Sequence, residues 1–162
     1  MTSKLHYTLE SSIPRCFQPP RQSYFLFGPR GTGKTTWLRS RYPDALLLDL
    51  LQPDLHRSLA ARPERLRALV HGAPDRRVVI LDEVQRLPEL LHLVHALREE
   101  RPSRTYVLTG SSARKLRRGG VDLLAGRVLL RTLHPFLASE LGDRFELAAA
   151  LRHGLVPIVA MA

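Results

Sequence analysis

The segment Gly28-Pro29-Arg30-Gly31-Thr32-Gly33-Lys34-Thr35 satisfies the spacing G-x-x-x-x-G-K-[ST], and its residue types are those that a phosphate group needs. Glycines let the main chain wrap so closely that successive N–H groups converge on an anion, an approach that side chains would block. The next residues, Thr36-Trp37-Leu38-Arg39-Ser40, suit a helix, whose N-terminus adds partial positive charge. Lys34 is fitted to reach β- and γ-phosphates as a compact, flexible ammonium, and the Thr35 hydroxyl to ligate Mg2+. Apart from Lys4, Lys34 and Lys115, every cation in the chain is an arginine, so a lysine here suits a task that needs a point charge rather than a planar fork. The expected phosphate cradle is therefore Gly28, Arg30, Gly31, Thr32, Gly33, Lys34, Thr35 and Thr36.

A second constellation is Val78-Val79-Ile80-Leu81-Asp82-Glu83, an apolar run that delivers two adjacent acids at its end. In an open parallel sheet the carboxyl ends of the strands form the edge where ligands bind, the same edge that a phosphate loop occupies. Asp82 is suited to hold Mg2+, through water, and Glu83 to orient and deprotonate a water attacking a γ-phosphorus. Acids end many strands. The pair acquires meaning because it follows a phosphate loop by about fifty residues.

Five short apolar runs must position these groups: Tyr24–Phe27, Ala45–Leu50, Val78–Leu81, Thr105–Leu108 and Val128–Thr132. They alternate with longer segments of helical spacing, which predicts an α/β fold with a mainly parallel sheet. Their near-continuous apolar character suits strands covered on both faces. Leu87, Leu90, Leu91, Val94 and Leu97 recur at helical spacing and predict a helix from about Leu87 to Glu100. Arg62 to Val70 reads as another, ending at His71-Gly72, and Pro135 as the first turn of a third that runs to Leu141 and closes at Gly142. Residues 1–22, with Pro14, Pro19 and Pro20, show no periodicity and read as an extended lead-in.

The chain's 162 residues suffice for one domain with a substantial core. With 44% hydrophobic, 25% charged and 6% aromatic residues, collagen-like, mucin-like and wholly disordered classes are excluded. No uncharged apolar run approaches the ~18–20 residues of a membrane helix, and the start lacks a secretory apolar stretch, so a cytoplasmic protein without a membrane partner is expected. The single cysteine, Cys16, cannot form an internal disulfide and reads as a small hydrophobe. His92 and His95 lie beside the Leu87–Glu100 stripe with no third ligand evident and read as helix-surface residues. A net charge of +10 favours polyanions, although its arginine-dominated make-up looks like a compositional habit. Arg114, Lys115, Arg117 and Arg118 cluster as a solvated helix end or as a contact for nucleic-acid phosphates; no aromatic residues interleave them.

The loop Gly28–Thr35, the strand ending in Asp82-Glu83 and Leu108-Thr109-Gly110-Ser111-Ser112-Ala113-Arg114-Lys115 together resemble a bacterial and archaeal group of AAA-type ATPases. Gly126-Arg127-Val128, His134-Pro135-Phe136 and Glu140-Leu141-Gly142 fit the same group, so the resemblance spans roughly Ser23 to Gly142. It implies a P-loop NTPase core: a five-stranded, mainly parallel sheet between helices, in the order 5-1-4-3-2, taking ATP and Mg2+. By the same resemblance Ser111, with Thr109 and Ser112 as near rivals, fits the polar residue that contacts the γ-phosphate and the attacking water. A Gly-Ser turn capping the next helix is the other reading. Arg127 is likewise implied as an arginine finger, a role that requires a homo-oligomer, or else as an ion-paired arginine. Longer members of the group add a C-terminal domain of unknown function, and AAA-type cores are ordinarily followed by a helical lid. The expectation is thus a lead-in at 1–22, a core at 23–142 and an incomplete following unit at 143–162, as in a truncated or split version. Two functions follow as expectations: Mg2+-dependent ATP binding and hydrolysis, or a nucleotide-gated binding module or DNA-associated adaptor with negligible hydrolysis.

Overall fold

The computed structural model describes residues 13–111, 116 and 128–157. Five strands, β1 (Tyr24–Phe27), β2 (Leu46–Asp49), β3 (Val78–Asp82), β4 (Thr105–Gly110) and β5 (Leu129–Thr132), form one sheet in the order β2-β3-β4-β1-β5. Every neighbouring pair is parallel. This is the expected order read from the opposite edge, and each strand falls on one of the five apolar runs.

The helices are α1 (Lys34–Arg41), α2 (Pro53–Ala61), α3 (Arg65–His71), α4 (Leu90–Glu100), α5 (Ala138–Leu141) and α6 (Leu147–His153), with 3-10 turns at Val84–Arg86 and Gly142–Arg144. Alternate residues of β1 feed two separate cores. Phe25 and Phe27 pack with Leu59 of α2, Leu66 and Val70 of α3 and Leu90, Leu91, Val94 and Leu97 of α4. Tyr24 and Leu26 pack on the other face with Leu38 and Trp37 of α1. All four β1 side chains are buried, each such Phe or Leu contributing about 1.5–3 kcal/mol. Burial on both faces accounts for the continuous apolar runs of β1, β3 and β4. The edge strand β5 departs from it, with Leu130, Arg131 and Thr132 exposed.

Prolines reset the helix boundaries. Leu87 precedes Pro88 and is extended at φ −141, ψ 71, so α4 starts at Leu90 rather than Leu87. Arg62 precedes Pro63 at φ −146, which separates α3 from an α2 that Pro53 opens and periodicity did not reveal. Buried Arg104 donates to the carbonyls of Val70, Ala73 and Pro74 and so secures the end of α3. The helix expected from Pro135 shrinks to the single turn of α5, because the carbonyls of His134 and Pro135 accept from Arg15 and the Phe136 N–H donates to the Leu155 carbonyl. Among the described residues no helix is long and apolar enough to cross a membrane.

Candidate functional site

Parallel strands carry their ends to one edge, and here β1, β3 and β4 deliver Phe27, Asp82 and Gly110 to it. The glycine-rich loop leaves β1 at this edge and returns as α1. A Cβ on Gly28 would lie 2.2 Å from the Leu133 carbonyl oxygen, so only glycine lets the loop pass the end of β5. Gly33, the residue before α1, is left-handed at φ 80, ψ 21, a conformation that costs glycine nothing. No side chain caps α1 and no acid occupies its first turn. Its opening N–H groups and dipole are thereby left to an anion.

Lys34 is 6% exposed and folds over the loop, its Nζ donating to the Gly28 carbonyl at 2.7 Å and the Pro29 carbonyl at 3.1 Å. Burial pushes its pKa below the ordinary lysine value, against the pull of Glu83 and Asp82. A desolvated ammonium beside a helix N-terminus is a strong attractor for a polyphosphate. Thr32 is fully buried and its hydroxyl donates to the Pro29 carbonyl at 2.9 Å, tightening the bend. Arg30 and Thr36 are exposed at its two ends.

Leu81 pairs with Leu108, so the next residues along β3 and β4, Asp82 and Thr109, stand side by side. Both are buried. Asp82 Oδ2 accepts from the Thr35 hydroxyl at 2.5 Å, and its Oδ1 accepts from the Thr109 hydroxyl. That same Thr109 oxygen accepts the Glu83 N–H at 3.0 Å. One hydroxyl therefore ties the two acids together.

Glu83 is the one non-glycine residue with positive φ among the described residues, at φ 60, ψ 44. Such a conformation costs about 1–3 kcal/mol and persists only where its surroundings enforce it. Thr109 holds its N–H, and the Gln85 side-chain amide donates to its Oε2. Gly110 leaves room for this arrangement, since a Cβ there would lie 2.6 Å from Gln85 Oε1.

Thr35 and Asp82 offer a hydroxyl and a carboxylate oxygen in contact, the hard donor set of a cation that keeps waters and phosphate oxygens as its other ligands. Among the described residues no three His, Cys, Asp or Glu side chains gather to hold a metal by themselves. The chemistry of the pair thus fits Mg2+ brought with a polyphosphate.

Of the sequence-predicted site residues, the structure brings Gly28, Gly31, Thr32, Gly33, Lys34 and Thr35 together with Asp82 and Glu83. The hydroxyl that meets the acids is that of Thr109, a rival in the sequence reading. Ser111 lies beyond Gly110, after β4 ends. Arg127, Ser112 and the basic residues Arg114, Lys115, Arg117 and Arg118 lie outside the described residues. Sequence reasoning missed Gln85, two residues beyond Glu83, and Arg15 in the lead-in, which donates to the Thr32 carbonyl at 3.0 Å.

A family model described as AAA domain matches residues 20–142. No curated protein matches the chain.

Proposed function

The chain belongs to the AAA domain family, with the nucleotide-binding, ATPase-like character which that implies, and on this premise we propose that it binds ATP with Mg2+ and hydrolyses the β–γ anhydride bond. In this reading the N–H groups of Gly33, Lys34 and Thr35 receive phosphate oxygens. Lys34 exchanges the loop carbonyls for the β- and γ-phosphates. Mg2+, held by Thr35 and through water by Asp82, would neutralise charge on the β- and γ-oxygens. Glu83 accepts a proton from the water whose oxygen bonds to the γ-phosphorus, while the bond from that phosphorus to the bridging oxygen breaks. ADP and inorganic phosphate leave, and the proton passes from Glu83 to solvent. The Thr109 hydroxyl fixes both acids, and Ser111, just past the end of β4, contacts the γ-phosphate and the attacking water in this reading.

The observation that carries this reading is the chain of contacts Thr35–Asp82–Thr109–Glu83 beside an uncapped helix start. The test is phosphate release from MgATP by the wild type, Lys34→Ala and Glu83→Gln. Hydrolysis requires that wild type turn over, that Lys34→Ala lose binding and that Glu83→Gln bind without turnover. Binding with no release above the Lys34→Ala background would leave a nucleotide-gated module instead.

A further inference from the structure

Arg15 stands outside every motif, yet its guanidinium meets three backbone carbonyls and a carboxylate. Nη1 donates to the Thr32 carbonyl at 3.0 Å, and Nη2 donates to the carbonyls of His134 and, at 3.3 Å, Pro135. Nε lies 3.1 Å from Glu140 Oε2, an ion pair without hydrogen-bond alignment, the two side chains being 6% and 3% exposed. The guanidinium carbon lies 4.7 Å from the centroid of the Phe136 ring. Glu140 is fixed in turn, since its oxygens accept from the N–H groups of Cys16 at 2.6 Å and Leu137 at 3.0 Å.

The contact with Thr32 matters because of the peptide it grips. All described peptide bonds are trans, and in a trans peptide the C=O and N–H point in opposite directions. Holding the Thr32 carbonyl against Arg15 therefore aims the Gly33 N–H away from Arg15. Without such a hold, a peptide leading into a glycine rotates easily, because glycine accepts either sign of φ. A charged donor on the carbonyl also polarises the amide and makes its N–H a stronger donor.

We propose that Arg15 is a positioning residue for the phosphate cradle: its Nη1, on the Thr32 carbonyl, locks the Thr32–Gly33 peptide so that the Gly33 N–H is presented to a nucleotide phosphate. This rests on the nucleotide-binding reading above. It gives the lead-in a role in the affinity of a loop that lies well beyond it in the sequence.

The experiment measures Kd for MgATP and MgADP, together with kcat and KM, on the full chain carrying Arg15→Lys or Glu140→Gln. A lysine retains a charge for Glu140 but cannot serve the Thr32 carbonyl as well, because its three donors sit on one point. Arg15→Lys is expected to raise both Kd values and KM about tenfold with kcat changed less than about twofold, the pattern of a lost ground-state contact. Glu140→Gln leaves Arg15 on Thr32, and its Kd should stay within about twofold of wild type. A merely structural Arg15 would lower the melting temperature in both variants without altering affinity in the folded fraction. Folded Arg15→Lys with wild-type Kd overturns the proposal, as does an equal loss of affinity in both variants. If Arg15→Lys fails to fold, the double variant Arg15→Gln/Glu140→Gln replaces the buried charge pair by a neutral one, and the same rise in Kd is required of it. Wild-type protein that binds neither nucleotide sinks the parent reading, a result distinct from the failure of Arg15 alone.

Discussion

Thr35 and Asp82, 47 residues apart in the chain, meet at 2.5 Å through a hydroxyl and a carboxylate oxygen. The contact joins the first turn of α1 to the end of β3 and leaves two hard oxygen donors at the same point. Asp82→Asn preserves the shape and removes the charge. Nucleotide binding in EDTA should persist in this variant, while the gain in affinity on adding Mg2+ should shrink about tenfold or more. Calorimetric titration with and without Mg2+ decides it, and an unchanged Mg2+ response would remove Asp82 from the metal site.

Glu83 should show strain and function in opposition. Glu83→Gln is expected to lower turnover by about 10²–10⁴-fold with Kd for MgATP nearly unchanged, the size of a lost general base. Glu83→Gly relieves a left-handed residue and should stabilise the fold by about 1 kcal/mol while abolishing turnover. Urea unfolding alongside phosphate release tests both. A Glu83→Gly variant less stable than wild type would mean that the lost contact between the Glu83 carboxylate and Gln85 outweighs the backbone strain.

Thr109→Val keeps the volume of a buried side chain and deletes the hydroxyl shared by Asp82 and the Glu83 N–H. Leaving both partners unsatisfied should cost about 1–3 kcal/mol and depress turnover, and Thr109→Ser should restore both. Failure of serine to rescue would show that the methyl group, rather than the hydroxyl, is what matters.

Gly28→Ala forces a Cβ to 2.2 Å from the Leu133 carbonyl oxygen, a backbone atom that cannot swing aside. We expect a loss of roughly 3 kcal/mol or more, read as a lower denaturation midpoint. Gly142→Ala serves as the control. Its φ is +53, but no atom lies within 4 Å of the added carbon, so only the conformational cost of about 1 kcal/mol should appear. Equal losses at the two positions would contradict the steric account.

Lys34 should make both stability and affinity depend on pH, with opposite signs. Burial lowers its pKa from 10.5, so between that lowered value and 10.5 the unfolded chain holds more protons and stability rises with pH. A bound triphosphate favours the charged ammonium and pulls the pKa back up, so binding takes up a proton. Affinity then falls as pH rises through the free protein's value. Titrations above about pH 8, where the triphosphate itself is fully ionised, should show this slope in wild type and none in Lys34→Met. A wild-type affinity flat across the alkaline range would refute it.

The sequence by itself determined what is local and chemical. The glycine-rich loop, its lysine and threonine, and the acids closing an apolar run were legible because each role needs particular residue types at short fixed spacing. Strands β1, β3 and β4 were legible because burial on both faces demands continuous apolar runs, and the edge strands β2 and β5 carried short apolar runs although they are less buried. Helix ends shifted where a proline overrode the hydrophobic period, as at Leu87 and Arg62. Only the tertiary structure decided that Thr109 ties the acids together, since strand register brings it level with Asp82 while Ser111 lies past the end of β4. Only the tertiary structure placed Arg15 on Thr32 and Glu140, because contacts spanning 17 residues and more than a hundred residues leave no periodic trace in the chain.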